Sequence, residues 1–208
     1  MGGNSFDKLV EMFMRFPGIG PRQARRFVYF LLSLDSGSLS RLTSSIDELR
    51  REATRCMRCG YHFFKSTSKG ELCQTCTDPH RNKTQLMIVE KDLDVDSFKK
   101  TDSYDGLFYI LGGLVPILEK EPAKKVRLNP LEALIKSEAA TDNLKEIILA
   151  FSVNPEGDYT VDYLRGLLRP LIKDGDIKIS VLGRGLSTGT EVEYSDPETL
   201  KSALENRH

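Results

Sequence analysis

Four cysteines fall in two short pairs, Cys56-Met-Arg-Cys59 and Cys73-Gln-Thr-Cys76, with thirteen residues between them. Each C-x2-C pair forms a tight knuckle that offers two thiolates, and two knuckles close a tetrahedral S4 shell of the kind structural zinc prefers. Such a shell leaves no open coordination position, so the expected Zn²⁺ is structural and not catalytic. A stretch this small and polar would draw most of its folding free energy from the metal. A rubredoxin-like iron site or a pair of disulfides would fit the same frame, and a reducing cytoplasm weighs against the disulfides. His62 and His80 lie close by in sequence. Four thiolates need no further ligand, and both histidines are read as loop residues.

The segment Phe16-Pro-Gly-Ile-Gly-Pro-Arg-Gln-Ala-Arg-Arg-Phe27 sets two glycines one residue apart just before a proline. Gly18 and Gly20 let a turn take positive φ and let backbone approach a ligand closely, while Pro21 suits the first turn of the helix that follows. The N–H groups exposed at that helix start make an anion site that a DNA phosphate fits, and Arg22, Arg25 and Arg26 add charge beside it. That is the pattern of a helix-hairpin-helix, which grips the DNA backbone without reading base sequence. A plain helical turn with a glycine-rich connector is the competing reading. The three arginines and the basic surroundings favour DNA.

A third set is acidic. Glu90 closes an apolar run and Asn154-Pro-Glu-Gly-Asp158 follows another, so Glu90, Glu156 and Asp158 are expected near one carboxyl edge of a parallel sheet, where such folds place their sites. Gathered there they would hold Mg²⁺ through oxygen ligands; the alternative is that they are solvated loop acids. Leu182-Gly-Arg-Gly-Leu-Ser-Thr-Gly-Thr190 is glycine-rich with one arginine but lacks the Lys-Ser/Thr of a nucleotide P-loop. It reads as a turn before an edge strand, Glu191 to Tyr194, with a phosphate cradle as the other reading. No nucleophile and base pair is evident: His208 is terminal, and no Ser or Cys has a partner that spacing assigns.

Helices and strands must position these groups. Phe6, Leu9, Val10 and Phe13 repeat at helical spacing, Pro17, Gly18 and Gly20 break the pattern, and it resumes through Ala24, Phe27, Val28, Phe30 and Leu31. Asp35 to Ser40 interrupts, and a third, charged helix is expected from about Leu42 to Thr54. Beyond Thr84, the apolar runs Gln85 to Glu90 and Leu144 to Ser152 and the alternating Asp176 to Gly185 read as strands. Helical patterns lie between them near Leu131 to Ser137 and Tyr159 to Leu171. Strands alternating with helices imply an α/β fold with a mostly parallel sheet.

The 208 residues carry zero net charge and 39% hydrophobic residues, enough for a real core plus small appendages. The zero hides an asymmetry: residues 1–83 hold 14 Lys+Arg against 8 Asp+Glu, and residues 84–208 hold 16 against 22. A basic front suits phosphates, and an acidic remainder suits metal ions or basic partners. No run of about 18 apolar residues and no cleavable leader is seen, so the chain is expected to be cytoplasmic and away from membranes.

The order of the pieces resembles the bacterial RecR family over roughly residues 6 to 204. The marks are Pro17-Gly-Ile-Gly-Pro21, the cysteine frame with Arg81 five positions after Cys76, the Ile88-Val-Glu90 strand end, Asn154-Pro-Glu-Gly-Asp158, and Arg184-Gly-Leu186 with Glu193-Tyr194. That resemblance implies a helix-hairpin-helix at 1–54, a four-cysteine zinc finger at 55–83, a Toprim domain at 84–175 and a C-terminal glycine-rich loop with a strand and helix tail at 176–208. It implies a DNA-binding recombination mediator with no covalent chemistry of its own. Such a protein assembles as ring-like dimers or tetramers around double-stranded or gapped DNA. It works with RecO-like and RecF-like proteins to load recombinase at single-stranded gaps and ends. Arg22 and Arg26 match the basic positions of the family's hairpin. Glu90, Glu156 and Asp158 match the Toprim acids, which in this family serve partner binding. The chain departs from the family at the Asn154 loop, two residues shorter and with Asp for the second Glu, at Thr75 and at Glu191. The alternative function is a Mg²⁺-dependent Toprim nuclease or primase-like enzyme, since Toprim acids elsewhere assist phosphoryl transfer.

Overall fold

A computed structural model describes residues 4–67, 70–141, 143–172, 177–183, 189, 191–195 and 197–205. The chain divides into two units, Met1–Ala53 and Thr54–His208. The first is helical. Helix α1 (Ser5–Phe13) starts at Asn4, whose side chain accepts from the Asp7 amide, and α2 (Pro21–Ser33) starts at Gly20 and Pro21. A small apolar core of Val10, Ala24 and Val28, flanked by Phe6, Phe13 and Ile19, joins the two helices. Edge-on ring contacts of Phe13 with Phe16 and Phe27, at 5.6 and 5.5 Å, close the turn side.

Helix α3 (Ser36–Glu52) begins six residues earlier than its apolar pattern indicates. Asp35, expected in an interruption, is its N-cap: Oδ1 accepts from the Ser38 amide at 2.9 Å and Oδ2 from the Ser38 hydroxyl at 2.6 Å. The cap satisfies first-turn N–H groups and so carries a Ser/Gly-rich turn that propensity alone disfavours. Among the described residues α3 buries no side chain fully.

In the second unit, β1 (Ala53–Arg55) and β2 (His62–Phe64) make a two-stranded sheet around the cysteine segment, and α4 (Gln74–Thr77) carries Cys76. A four-stranded sheet follows, built from β3 (Asn82–Val89), β4 (Gly106–Ile110), β5 (Glu146–Ala150) and β6 (Lys178–Val181) in the order β4-β3-β5-β6. Every pairing is parallel, with Ile88 opposite Tyr109 on one side and Leu149 on the other. Parallel strands require crossovers; α5 (Asp92–Thr101), α6 (Leu128–Ala139) and α7 (Pro155–Leu168) provide them.

Both sheet faces are covered, and side-chain alternation divides the apolar residues between them. Leu86, Ile88, Leu107, Tyr109, Ile147 and Leu149 face α6 and α7, where Leu131, Ile135, Leu164 and Leu168 complete the larger core. Met87, Val89, Phe108 and Ile110 point the other way, onto Val95 and Phe98 of α5. At the amino end, Glu146 ties three strands by accepting from Gln85 at 2.8 Å and from Ser180 at 2.7 Å. The Ser180 bond holds its carboxyl below the usual range.

The expected strand over Glu191–Tyr194 is instead a short 3-10 turn, Val192–Tyr194, closed by the Tyr194 amide donating to the Glu191 carbonyl at 3.1 Å. Among the described residues no strand pairs with these four alternating positions, and they take this local bond in place of a ladder. The Arg184-Gly-Leu186 mark and His208 lie outside the described residues, as do Asp176, Gly185 and most of the glycine-rich loop. Helix α8 (Pro197–Glu205) ends the described chain.

Helix α7 packs so closely on the preceding loop that a Cβ on Gly157 would collide with the Ser152 carbonyl oxygen. Gly157→Ala is therefore expected to destabilise the second unit by about 3 kcal/mol. Urea unfolding followed by far-UV circular dichroism measures this, and an unchanged midpoint refutes the close-approach argument.

Candidate functional site

The hairpin turn is made by Gly18, whose φ of 74° lies in the left-handed region that favours glycine. Gly20 behaves differently from expectation. It is the N-cap of α2 with φ −86° and ψ 173°, ordinary extended backbone. Its contribution is the missing side chain: no cap hydrogen bond reaches the first turn of α2, and open space surrounds the position where a Cβ would lie. Pro21 has no N–H, so the amides of Arg22 and Gln23 are left pointing outward at the positive end of the helix dipole. Arg22, Arg25 and Arg26 are exposed. Among the described residues none of the three forms an ion pair with an acid; Arg25 lies 5.9 Å above the Phe6 ring and Arg26 reaches Gln23. An uncapped helix start beside uncommitted guanidinium groups is an anion-binding arrangement.

The knuckles come together as the spacing predicts. One ligand atom from each of Cys56, Cys59, Cys73 and Cys76 lies within 4.8 Å of every other, and the Cys59 and Cys73 sulfurs are 3.6 Å apart. Tetrahedral metal–sulfur bonds of about 2.3 Å place neighbouring sulfurs about 3.8 Å apart, so the donor set fits a thiolate-bound ion. All four thiols are free and so are at hand as metal ligands. The thiols perturb one another strongly. Hydrogen bonds from Cys59, Cys73 and Cys76 drive Cys56 far below the ordinary thiol range, while Cys76 is pushed far above it by hydrogen bonds within the same quartet. A divalent cation relieves that conflict by accepting all four as thiolates. His62 takes no part: its ring nitrogen bonds Asp92 at 3.1 Å, and His80 bonds Asp78 at 3.2 Å.

The knuckle is fastened to the sheet by residues of which sequence reasoning singles out only Arg81. Arg58 pairs with Glu138 of α6 at 2.7 Å, and Tyr61 donates to Asp96 of α5 at 2.7 Å. Arg127 donates to the carbonyls of Cys59 and Ile110 at 3.0 and 2.9 Å, with its guanidinium 4.8 Å from the Tyr109 ring centre. Tyr109 in turn donates to the Arg127 carbonyl at 2.7 Å. Burial raises its phenol to about 12, against the opposing pull of Arg127, so the hydroxyl remains a donor at neutral pH. Arg81 folds back onto the Gly106 carbonyl and lies 5.6 Å from the Phe108 ring. The legible signal for this region is the Gly112-Gly113 pair after the apolar run Leu107–Leu111, which marks a special turn at a strand end.

The acids stand at the carboxyl edge. Glu90 follows β3 and is partly buried; Glu156 and Asp158 lie in the first turn of α7, where Asn154 caps by accepting from Gly157 at 2.8 Å and Pro155 occupies the first position. The shortened loop thus runs directly into the helix, and both acids sit at its positive dipole end. Their carboxylates do not gather with Glu90: among the described residues the cysteine quartet is the only group of three or more His, Cys, Asp or Glu side chains placed to hold an ion. The expectation of a three-acid Mg²⁺ site is not met.

A glycine hairpin on one unit and, on the other, a thiolate knuckle fastened to an acid-edged parallel sheet define the class: a helix-hairpin-helix and Toprim protein. Residues 6–50 match the RecR helix-hairpin-helix, residues 84–183 the Toprim domain and residues 185–208 the RecR C-terminal segment. Recombination protein RecR of Chloroflexus aggregans is 36% identical over 200 residues, covering 96% of this chain and 91% of that protein. The Bifidobacterium longum protein of the same name is 33% identical over 204 residues, 98% and 95% of the two chains. That of Lactobacillus helveticus is 29% identical over 199 residues, 96% and 94%. The chain belongs to the RecR family.

Freshly purified, reduced protein is expected to carry about one thiolate-bound ion per chain. Cys73→Ser is expected to lose the ion and the near-ultraviolet signature of a packed second unit. Elemental analysis that finds no metal in the wild-type chain would defeat this assignment.

Proposed function

We propose that this chain is a non-catalytic recombination mediator in DNA repair, which holds DNA through its hairpin and partner proteins through the acidic edge of its Toprim sheet. The observation that carries the reading is the uncapped start of α2 flanked by Arg22, Arg25 and Arg26, none of them tied to an acid among the described residues. Amides and guanidinium groups so arranged bind phosphate oxygens and leave base edges unread, so binding is independent of DNA sequence. Relatives spanning nearly the whole chain bear the name Recombination protein RecR, which supports a role in recombination.

In this reading the thiolate ion is Zn²⁺, by the preference of a closed S4 shell, and its role is structural. Glu90, Glu156 and Asp158 face RecO-like and RecF-like proteins through basic contacts. The divisions at residues 1–54, 55–83, 84–175 and 176–208 describe its parts, with β6 of the last stretch adding the edge strand of the sheet. Self-association into a ring-like dimer or tetramer is supported by the large apolar side chains that the first unit exposes, with Tyr29, Leu32 and Ile46 at 63%, 70% and 57%. Among the described residues no helix is long and apolar enough to cross a membrane, and a cytoplasmic location suits a protein that meets DNA. The Mg²⁺-dependent nuclease or primase alternative finds no support, since phosphoryl transfer needs metal-binding acids that converge.

Two measurements test this. Arg22→Ala combined with Arg26→Ala is expected to weaken binding to unrelated DNA sequences alike and to reduce the slope of log affinity against log salt by about 2, one per lost phosphate contact. An unchanged slope would remove the hairpin from the DNA contact. Incubation of the wild-type chain with gapped DNA and Mg²⁺ is expected to leave the DNA intact; cleavage abolished by Glu90→Ala would install the enzyme reading instead.

A further inference from the structure

We infer that metal occupancy of the cysteine knuckle sets the placement of Glu90 and Glu156 at the carboxyl edge of the sheet, through a relay of hydrogen bonds in which Arg127 is the positioning residue. The relay begins on Cys59, whose thiol belongs to the quartet. Its carbonyl accepts from the Ile110 amide at 2.8 Å and from Arg127 Nη1 at 3.0 Å. The same Nη1 also donates to the Ile110 carbonyl, and the Arg127 amide donates to Leu111 at 2.8 Å. Gly60, at φ 83°, is what admits the guanidinium: a Cβ there would collide with Nη1. One residue thus joins the thiolate cage to the end of β4.

From that point the chain divides toward both acids. The amides of Gly112 and Gly113 donate to the Glu90 carbonyl at 2.9 and 3.1 Å. Both glycines have positive φ, 91° and 146°, which a side chain would oppose. Two residues on, the Val115 amide donates to Thr160 Oγ1 at 2.9 Å, and that hydroxyl donates to the Glu156 carbonyl at 2.8 Å. Thr160 is completely buried and the only polar residue so placed among the described buried residues. Residues 110–115 therefore hold the metal knuckle at one end and the backbone of both acids at the other. Each group on the path is partnered by the next, so moving one leaves a buried donor or acceptor unmatched.

The physical consequence is linkage. An ion that fixes Cys59 favours this arrangement of residues 110–115, and whatever binds the acids in that arrangement must tighten the ion by the same factor. The use of such coupling rests on the reading of this edge as a partner surface. Its existence does not, and the test below reads the coupling alone, so failure of either leaves the other standing.

Hydrogen exchange of the full chain, read by mass spectrometry with and without a zinc chelator, tests the relay. Chelation is expected to raise exchange at residues 111–115 by about tenfold while the β5 amides of residues 147–149, set in a core that contains no cysteine, stay protected. Arg127→Met with its ion still bound is expected to reproduce much of that rise, and Arg127→Lys, which keeps one charged donor, less of it. Thr160→Val provides a second route that spares the knuckle: it should raise exchange near Val115 with metal bound and blunt the further effect of chelation there. Exchange at residues 111–115 that ignores the metal would overturn the inference. So would a uniform rise through β5, which reduces the knuckle to general stability, or an Arg127→Met chain indistinguishable from wild type.

Discussion

A backbone carbonyl has two lone pairs, and that of Cys59 uses both: one for the Ile110 amide at the end of β4, the other for the Arg127 guanidinium. Around this oxygen the second unit is organised. The residue that carries it also presents a buried thiol to the other three cysteines, so a polar cage with little apolar content of its own is tied to a sheet that has a full core on each face. Partly burying a guanidinium is tolerable here because nearby carbonyls accept from it and an aromatic face covers it. Without such a strut the knuckle would rest on the Ile110 amide bond, the Arg58–Glu138 pair and the Tyr61 and His62 bonds to α5.

The hairpin in the first unit follows a different logic, in which omission matters more than contact. Gly20 brings no side chain to cap α2, and Pro21 brings no amide that would need capping, so the remaining N–H groups and the helix dipole face outward together. The core beneath is small, three buried residues and a ring of mostly aromatic neighbours, which is enough to hold two helices in register but leaves much apolar surface uncovered. Charge is divided accordingly between a basic front and an acidic rear. Binding that depends on phosphate charge is indifferent to base sequence and sensitive to salt.

Local rules go far here. The cysteine spacing predicts the S4 cage, the glycine-proline segment predicts the hairpin, and two apolar runs with one alternating stretch predict three of the four strands of the parallel sheet. Each is a case in which the deciding interactions lie within a few residues. Differences cluster where a neighbour distant in sequence decides. The Gly106–Ile110 strand is missing from the pattern-based reading although it is as apolar as the runs that read as strands, because periodicity alone does not tell a short run buried on both faces from a buried helix segment. The turn at Val192–Tyr194 shows alternation but, among the described residues, has no strand paired with it. Asp35 reads as a break because capping residues and loop residues share a composition.

By itself, then, the chain's order of residues determined which chemistry was at hand: four thiolates in two knuckles, a bare helix start among arginines, and acids after apolar strands. Its periodicities were enough for a parallel α/β sheet and a helical front. What only the tertiary structure decided was how these groups relate. Among the described residues it did not gather Glu90, Glu156 and Asp158 into a three-acid ion site, and the α7 cap with the close contact of Gly157 and Ser152 dictates where that helix begins. It also recruited Arg127, sixty-eight positions from Cys59, to join cage and sheet. The physical reason is that a carbonyl, an amide or a guanidinium is matched by whatever packing brings within hydrogen-bond distance, and spacing along the chain carries no record of that.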